Sequence, residues 1–98
     1  MNPRFSVVIP PKTERLIRKL FRGHRDIEDA LESVMGILSE DPYNRTRKYH
    51  IKKLENVPSS GDGQYRLRIA RWRFRYDIDG QTVVILYCGL RRAETYRR

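Results

Sequence analysis

The sequence holds one cysteine, Cys88, which excludes an internal disulfide framework and any zinc site built on paired thiolates. Histidine is almost as scarce, with only His24 and His50, and no group of His, Cys, Asp and Glu recurs at metal-ligand spacing. No glycine-rich phosphate loop occurs either, so the expectation is a protein with no metal and no cofactor. Apolar runs stay far short of the roughly 20 residues that span a bilayer. The opening "MNPRFSVVIPPK" lacks the long apolar region and small-residue cleavage pattern of a signal peptide. These absences predict a cytoplasmic protein without a membrane partner, its lone thiol buried in the strand-like "VVILYC".

What is abundant is positive charge, and it is unevenly placed. The net charge is +9 over 98 residues, a length that fits one domain, 1–98, with a modest core. Residues 1–43 carry seven basic and seven acidic side chains, whereas 44–98 carry fourteen basic and five acidic, so the second part holds the entire excess. Solvation requires charge but not segregation. Segregation points to a polyanionic partner, and without a basic amphipathic helix in the charged part a membrane is the weakest choice.

The period of the apolar residues changes midway. "RFSVVI" (4–9) reads as a strand ended by Pro10-Pro11. "KTERLIRKLF" (12–21) places Leu16, Ile17, Leu20 and Phe21 at helical spacing, with Gly23 suited to the stop. In 26–40, Ile27, Ala30, Leu31, Val34, Ile37 and Leu38 form a helical stripe, with Asp26 expected as the N-cap and Asp41-Pro42 as the end. A short turn containing His24, expected to be exposed, makes these helices a hairpin. "KYHIKKLENV" (48–57) then reads as a strand, "PSSGDG" as a loop, and 64–69, 72–78 and 82–88 as three strands joined by turns at Ala70-Arg71 and Asp79-Gly80. The predicted fold class is α+β: N-terminal strand, helical hairpin, then an antiparallel β-meander, in the order β-α-α-β-β-β-β, with the hairpin on one sheet face.

Strand parity divides "RLRIARWRFRYDI" into two surfaces. Trp72, Phe74, Tyr76 and Ile78 share one face with Tyr65, Leu67 and Ile69, and this face is expected to pack on the helices. Packing is therefore favoured over base stacking for Trp72 and Tyr76. The opposite face presents Arg66, Arg68, Arg73 and Arg75, four like charges that repel unless an anion lies among them. Two further basic clusters are expected to join this face: His50, Lys52 and Lys53 from "HIKKLE", and Arg91, Arg92, Tyr96, Arg97 and Arg98 from "GLRRAETYRR". Arginine forks grip phosphate bidentately and tyrosine stacks on bases, which makes RNA the expected ligand. Glu94 is read as an ion-pair partner of Arg92 or Arg73.

The "YRLRI–turn–aromatic–R–x–x–Y–x–I" core (65–78) and the ending "G-x-R-R-x-x-x-Y" (89–96) resemble the RelE/ParE superfamily of toxin–antitoxin toxins, and the resemblance extends over essentially the whole chain. Its RelE branch implies a toxin that is a translation-dependent endoribonuclease, entering the ribosomal A site and cutting mRNA there. By that resemblance Arg73 matches the principal catalytic arginine, Arg91 the arginine after the last strand with Arg92 a near-equivalent, and Tyr96 the C-terminal tyrosine that stacks on the mRNA base. Arg66, Arg68, Lys52, Lys53, Arg75 and Arg92 are expected to hold RNA phosphates. The implied chemistry is metal-independent attack of a ribose 2′-hydroxyl on the adjacent phosphate.

The implied partners are a cognate acidic antitoxin, mRNA, the rRNA of the A site, and operator DNA reached through the antitoxin. Arg66 and Arg68 stand where some RelE members have lysines, and arginine cannot serve as a base. That leaves Tyr96, Glu94, His50 and Lys52 as alternatives for general acid–base work. It also leaves two other functions open: a ParE-like DNA gyrase inhibitor without nuclease activity, and an inactive relative that retains antitoxin binding.

Overall fold

Helix α1 begins where proline favours it. In the computed structural model, which describes residues 4–55 and 63–90, strand β1 (Ser6–Val8) leads through Pro10 to α1 (Pro11–Phe21). Pro11 takes the first helical position, where a missing N–H costs nothing. Apolar periodicity then turns Thr13, Ile17, Leu20 and Phe21 toward the sheet. The buried Thr13 escapes a hydrophobic-stripe reading, and Leu16 is only half-buried. The helix does not end on a left-handed glycine, because Gly23 keeps an ordinary negative φ. Instead the Gly23 and His24 N–H groups both donate to the Leu20 carbonyl, at 3.2 and 3.0 Å.

Helix α2 (Ile27–Glu40) buries Ile27, Ala30, Val34 and Leu38, the centre of the stripe, while Leu31 and Ile37 flank it. Asp26 does not cap it, contrary to expectation: the residue is helical in backbone and its carboxylate makes no capping bond. That carboxylate is used elsewhere. It accepts from the Arg71 guanidinium at 2.8 and 2.9 Å and from the buried Trp72 indole Nε1 at 2.9 Å. The Arg71 and Trp72 hydrogen bonds hold its carboxyl well below the usual carboxylate range. His24, expected in solvent, is half-buried edge-on against the Trp72 ring, with centroids 5.6 Å apart.

Four strands follow: β2 (Ile51–Lys53), β3 (Tyr65–Ile69), β4 (Trp72–Asp79) and β5 (Thr82–Leu90). They form the expected antiparallel meander, and β1 adds to it in parallel with β5, giving the order β1-β5-β4-β3-β2. The fold is α+β, with both helices on one face. Of the strand predicted over 48–57, Ile51–Lys53 alone is strand among the described residues, its start delayed because residues 41–49 are engaged in a loop. Asp41 fastens that loop, accepting from the Arg45 and Thr46 N–H groups and the Thr46 hydroxyl at 2.7–3.1 Å. Partial burial opposes ionisation of Asp41, but these hydrogen bonds outweigh it and lower its pKa.

Two tight hairpins complete the sheet. Ala70 at φ +54° and Gly80 at φ +62° open the two-residue loops between Ile69 and Trp72 and between Asp79 and Thr82. A left-handed alanine is strained, and the Asp26–Arg71 bridge pins that loop to the start of α2.

The core face carries Leu67, Trp72, Phe74, Tyr76, Val83, Ile85 and Cys88, all essentially inaccessible. Tyr76 brings a hydroxyl into this core and donates it to the Pro42 carbonyl at 2.6 Å. Tyr76→Phe leaves that carbonyl without its donor and is expected to cost about 1–2 kcal/mol, read from a urea unfolding midpoint.

Burial pushes the Cys88 thiol from 9.0 up to about 12. Below pH 9 the thiol is neutral in folded and unfolded chains alike, so this contribution to stability is intact there. It is lost as pH rises from 9 toward 12, since only the unfolded chain ionises freely. The urea midpoint is therefore expected to fall across that range, and Cys88→Ala to flatten the fall. The Tyr76 phenol, raised chiefly by burial, adds to the same slope in both proteins.

Candidate nucleic-acid interface

On the sheet face turned away from the helices, register assembles basic residues into two rows. One row runs Lys52 (β2), Arg66 (β3), Arg75 (β4) and Tyr87 (β5); the next runs Arg68, Arg73 and Gly89. Arg66 thus lies directly opposite Arg75, and Arg68 directly opposite Arg73. Like charges so paired destabilise a sheet. The four arginines are brought together as parity predicts, and Lys52, expected from the neighbouring basic cluster, joins them.

They are not equivalent. Arg73 is 9% exposed, deeper than Arg66, Arg68 or Arg75, which are half-buried. A guanidinium held this deep has little rotamer freedom, so its donors are pre-organised toward any anion that reaches them. Arg75 is committed to structure: its Nε and Nη2 donate to the Gly63 carbonyl at 3.2 and 2.8 Å. Asp77, next along the same face, accepts from the Gln64 N–H at 2.6 Å. Together they fix the chain entering β3. Gly63 has φ +79°, and a Cβ there would meet the Arg75 Cβ at 2.8 Å, so only glycine allows this approach.

Lys53 departs from expectation. It is in register with Tyr65, and its ammonium lies 5.8 Å from that ring's centroid, on the side opposite Lys52. Alternation along three residues puts neighbouring lysines on different faces, so Lys53 does not join the arginines. His50 is exposed just before β2, where its carbonyl accepts from the Arg68 N–H at 3.0 Å. Trp72 and Tyr76 belong to the core and offer no ring for stacking. Arg91, Arg92, Glu94, Tyr96, Arg97 and Arg98 lie outside the described residues.

The residue that sequence reasoning missed is Tyr87. "VVILYC" is apolar at every position, so alternation assigns no face within it. The structure contains a β-bulge: Arg75 pairs with Tyr87 but Tyr76 with Ile85, and Leu86 is the extra residue. The bulge sends Ile85 and Cys88 inward and leaves Tyr87, 37% exposed, on the arginine face. A Tyr-x-Gly spacing at the end of a strand is the signal that would have found it.

A cleft among the described residues lies elsewhere. It measures about 760 Å³, is lined by Arg4, Phe5, Tyr43, Arg45, Lys48 and Tyr49 among others, and closes on the Gly80–Gln81 turn. That turn is at the opposite end of β4 from Arg73, about 20 Å along the strand at roughly 3.3 Å per residue. Charge density and burial therefore mark the arginine face, rather than the cleft, as the candidate site.

A two-layer α+β fold with an arginine-lined meander and one parallel edge strand defines the class of protein seen here. No protein-family model and no curated protein sequence matches the chain. Among solved structures it is similar to a chain in the crystal structure of the archaeal RelE–RelB complex from Pyrococcus horikoshii OT3, at 24% identity and a TM-score of 0.64. The similarity covers 91% of this chain and 97% of that one, so this protein has a RelE-like fold.

Proposed function

We propose that this protein is the toxin of a toxin–antitoxin pair, a ribosome-dependent endoribonuclease that cuts mRNA in the A site. The observation that carries this reading is the double row of arginines, with Arg73 buried among them, on a RelE-like sheet. In the proposed reaction a ribose 2′-hydroxyl attacks the adjacent phosphate. A P–O bond forms to the 2′-oxygen, the bond to the 5′-oxygen of the next nucleotide breaks, and a 2′,3′-cyclic phosphate is left. The attacking hydroxyl loses a proton and the leaving 5′-oxygen gains one.

Such a step demands alignment and stabilisation of charge on the phosphorane more than a strong nucleophile. Arg73 would supply that stabilisation, with Arg91 assisting, while Arg66, Arg68 and Lys52 hold the backbone and Tyr96 orients the base. Arg92 stands in as a near-equivalent of Arg91. Arg75 keeps spare donors for phosphate, although its principal contact is Gly63.

The partner proposed is an acidic antitoxin that neutralises the +9 chain. The RelE–RelB complex among solved structures supports such a partner, and operator DNA would then be bound through the antitoxin. Primer extension on mRNA from cells expressing the protein tests the reading. Discrete breaks that vanish with Arg73→Ala are expected. Intact mRNA together with a DNA-damage response would assign the chain to gyrase poisoning instead. Intact mRNA with no such response would assign it to an inactive relative that binds an antitoxin.

A further inference from the structure

The geometry points to Tyr87 as the aromatic platform on which a base of the bound RNA stacks, next to the phosphate held by Arg73. This inference rests on the reading that the arginine face binds RNA, and it adds a residue of β5 to those already considered. Three observations converge on it. Tyr87 is the one large aromatic side chain on this face among the described residues, and it is 37% exposed. It lies in the Lys52–Arg66–Arg75 row, at the end remote from Lys52. Its phenol also leans across to the neighbouring row. A Cβ built on Gly89 would collide with the Tyr87 hydroxyl and meet its Cζ at 2.8 Å, so the ring occupies the space a side chain at 89 would fill. Gly89 is the cross-strand partner of Arg73.

The tyrosine thus bridges the two arginine rows at the deepest guanidinium. Successive phosphates of single-stranded RNA alternate with bases, so a strand whose phosphate reaches Arg73 brings an adjoining base over the nearest ring. Every base has a π-face, and stacking on an exposed tyrosine among arginines is tolerant of sequence. The small residue at 89 is what lets the ring lie there, because glycine alone leaves the space above the strand open.

The test is a binding series with the full chain and a short fluorescent single-stranded RNA, intact or with one abasic nucleotide at each position in turn. Tyr87→Ala is expected to weaken binding of intact RNA about tenfold, and Tyr87→Phe to stay within about twofold, since the ring does the stacking. For one abasic position, wild-type affinity should fall to that of Tyr87→Ala, with no further loss when the two changes are combined. Gly89→Ala, which keeps the tyrosine but displaces it, is expected to behave as Tyr87→Ala does. Its neighbour is the far end of a flexible side chain, so the fold survives.

Additive losses at every abasic position, or wild-type binding by Tyr87→Ala, would overturn the inference. Arg73→Ala separates this from failure of the underlying reading. It should weaken intact and abasic RNA alike, and if it weakens neither, the face does not bind RNA and the role of Tyr87 falls with it.

Discussion

Arg73→Ala is expected to reduce the proposed mRNA cleavage by about 10²–10³-fold, the loss found when one pre-organised donor to a developing oxyanion is removed. Arg73 is singled out by depth. Its neighbours across the strands are Arg68, a like charge, and Gly89, over which the Tyr87 ring lies, and the residue as a whole is 9% exposed. Removing it also removes repulsion with Arg68, which offsets part of the packing lost with its aliphatic stem. The variant should therefore melt within a few degrees of wild type while its cleavage bands disappear. Arg73→Lys keeps the charge but not the planar fork and should fall between the two. Arg75→Ala is the informative contrast: its guanidinium holds the Gly63 carbonyl, so its loss should loosen the entry to β3 more than it slows cleavage. Quantitative primer extension together with thermal melts separates these outcomes. Cleavage undiminished in Arg73→Ala would remove the arginine face from the chemistry.

Phe74→Ala is expected to be the most damaging core change, costing about 3–5 kcal/mol through lost transfer energy and the cavity left behind. Phe74 is fully buried and stands in register between Leu67 and Cys88, both also buried, beneath the stripe of α2. The ladder that joins β3, β4 and β5 keeps their backbones from closing over the void. Small domains have about 5–15 kcal/mol in total, so this loss takes a large share. A fall in Tm of about 12 °C or more is expected for a chain of this size. Calorimetry or a urea titration with unchanged slope would register it, and a loss below about 1 kcal/mol would mean that the core is centred elsewhere. The two substitutions sit side by side in sequence, one on each face of β4. Arg73→Ala should remove activity and spare the fold, and Phe74→Ala should do the reverse at temperatures where it remains folded.

That adjacency explains how much of the site was legible without coordinates. Alternation along 64–78 separates Trp72, Phe74 and Tyr76 from Arg66, Arg68, Arg73 and Arg75, because a β-strand has a period of two that no distant contact alters while the strand stays regular. Both helices were legible for the analogous reason, their apolar stripes repeating at 3.6 residues. Where the local period fails, so did the expectation. Lys53 was grouped with Lys52 although parity separates neighbours. Tyr87 was hidden because an all-apolar run has no alternation to read, and because a single inserted residue, Leu86, reverses faces between Ile85 and Cys88. Asp26 looks like an N-cap by type and position, yet its carboxylate goes to Arg71 and Trp72, more than forty residues away. Two strong donors there outcompete a capping bond available only at one backbone geometry.

By itself, then, the sequence determined the element types and order, the core face of β3 and β4, the charge segregation and the arginine face, all properties of residues a few positions apart. Tertiary structure alone decided that β1 lies parallel beside β5, that Asp26 anchors the β3–β4 turn, that Arg73 is the deepest of the four arginines on the β3–β4 face and that Tyr87 overhangs Gly89 beside it. Each of those depends on pairing between distant segments. Such pairing is settled by which arrangement buries the most apolar surface while satisfying every strand, a comparison that no local pattern contains.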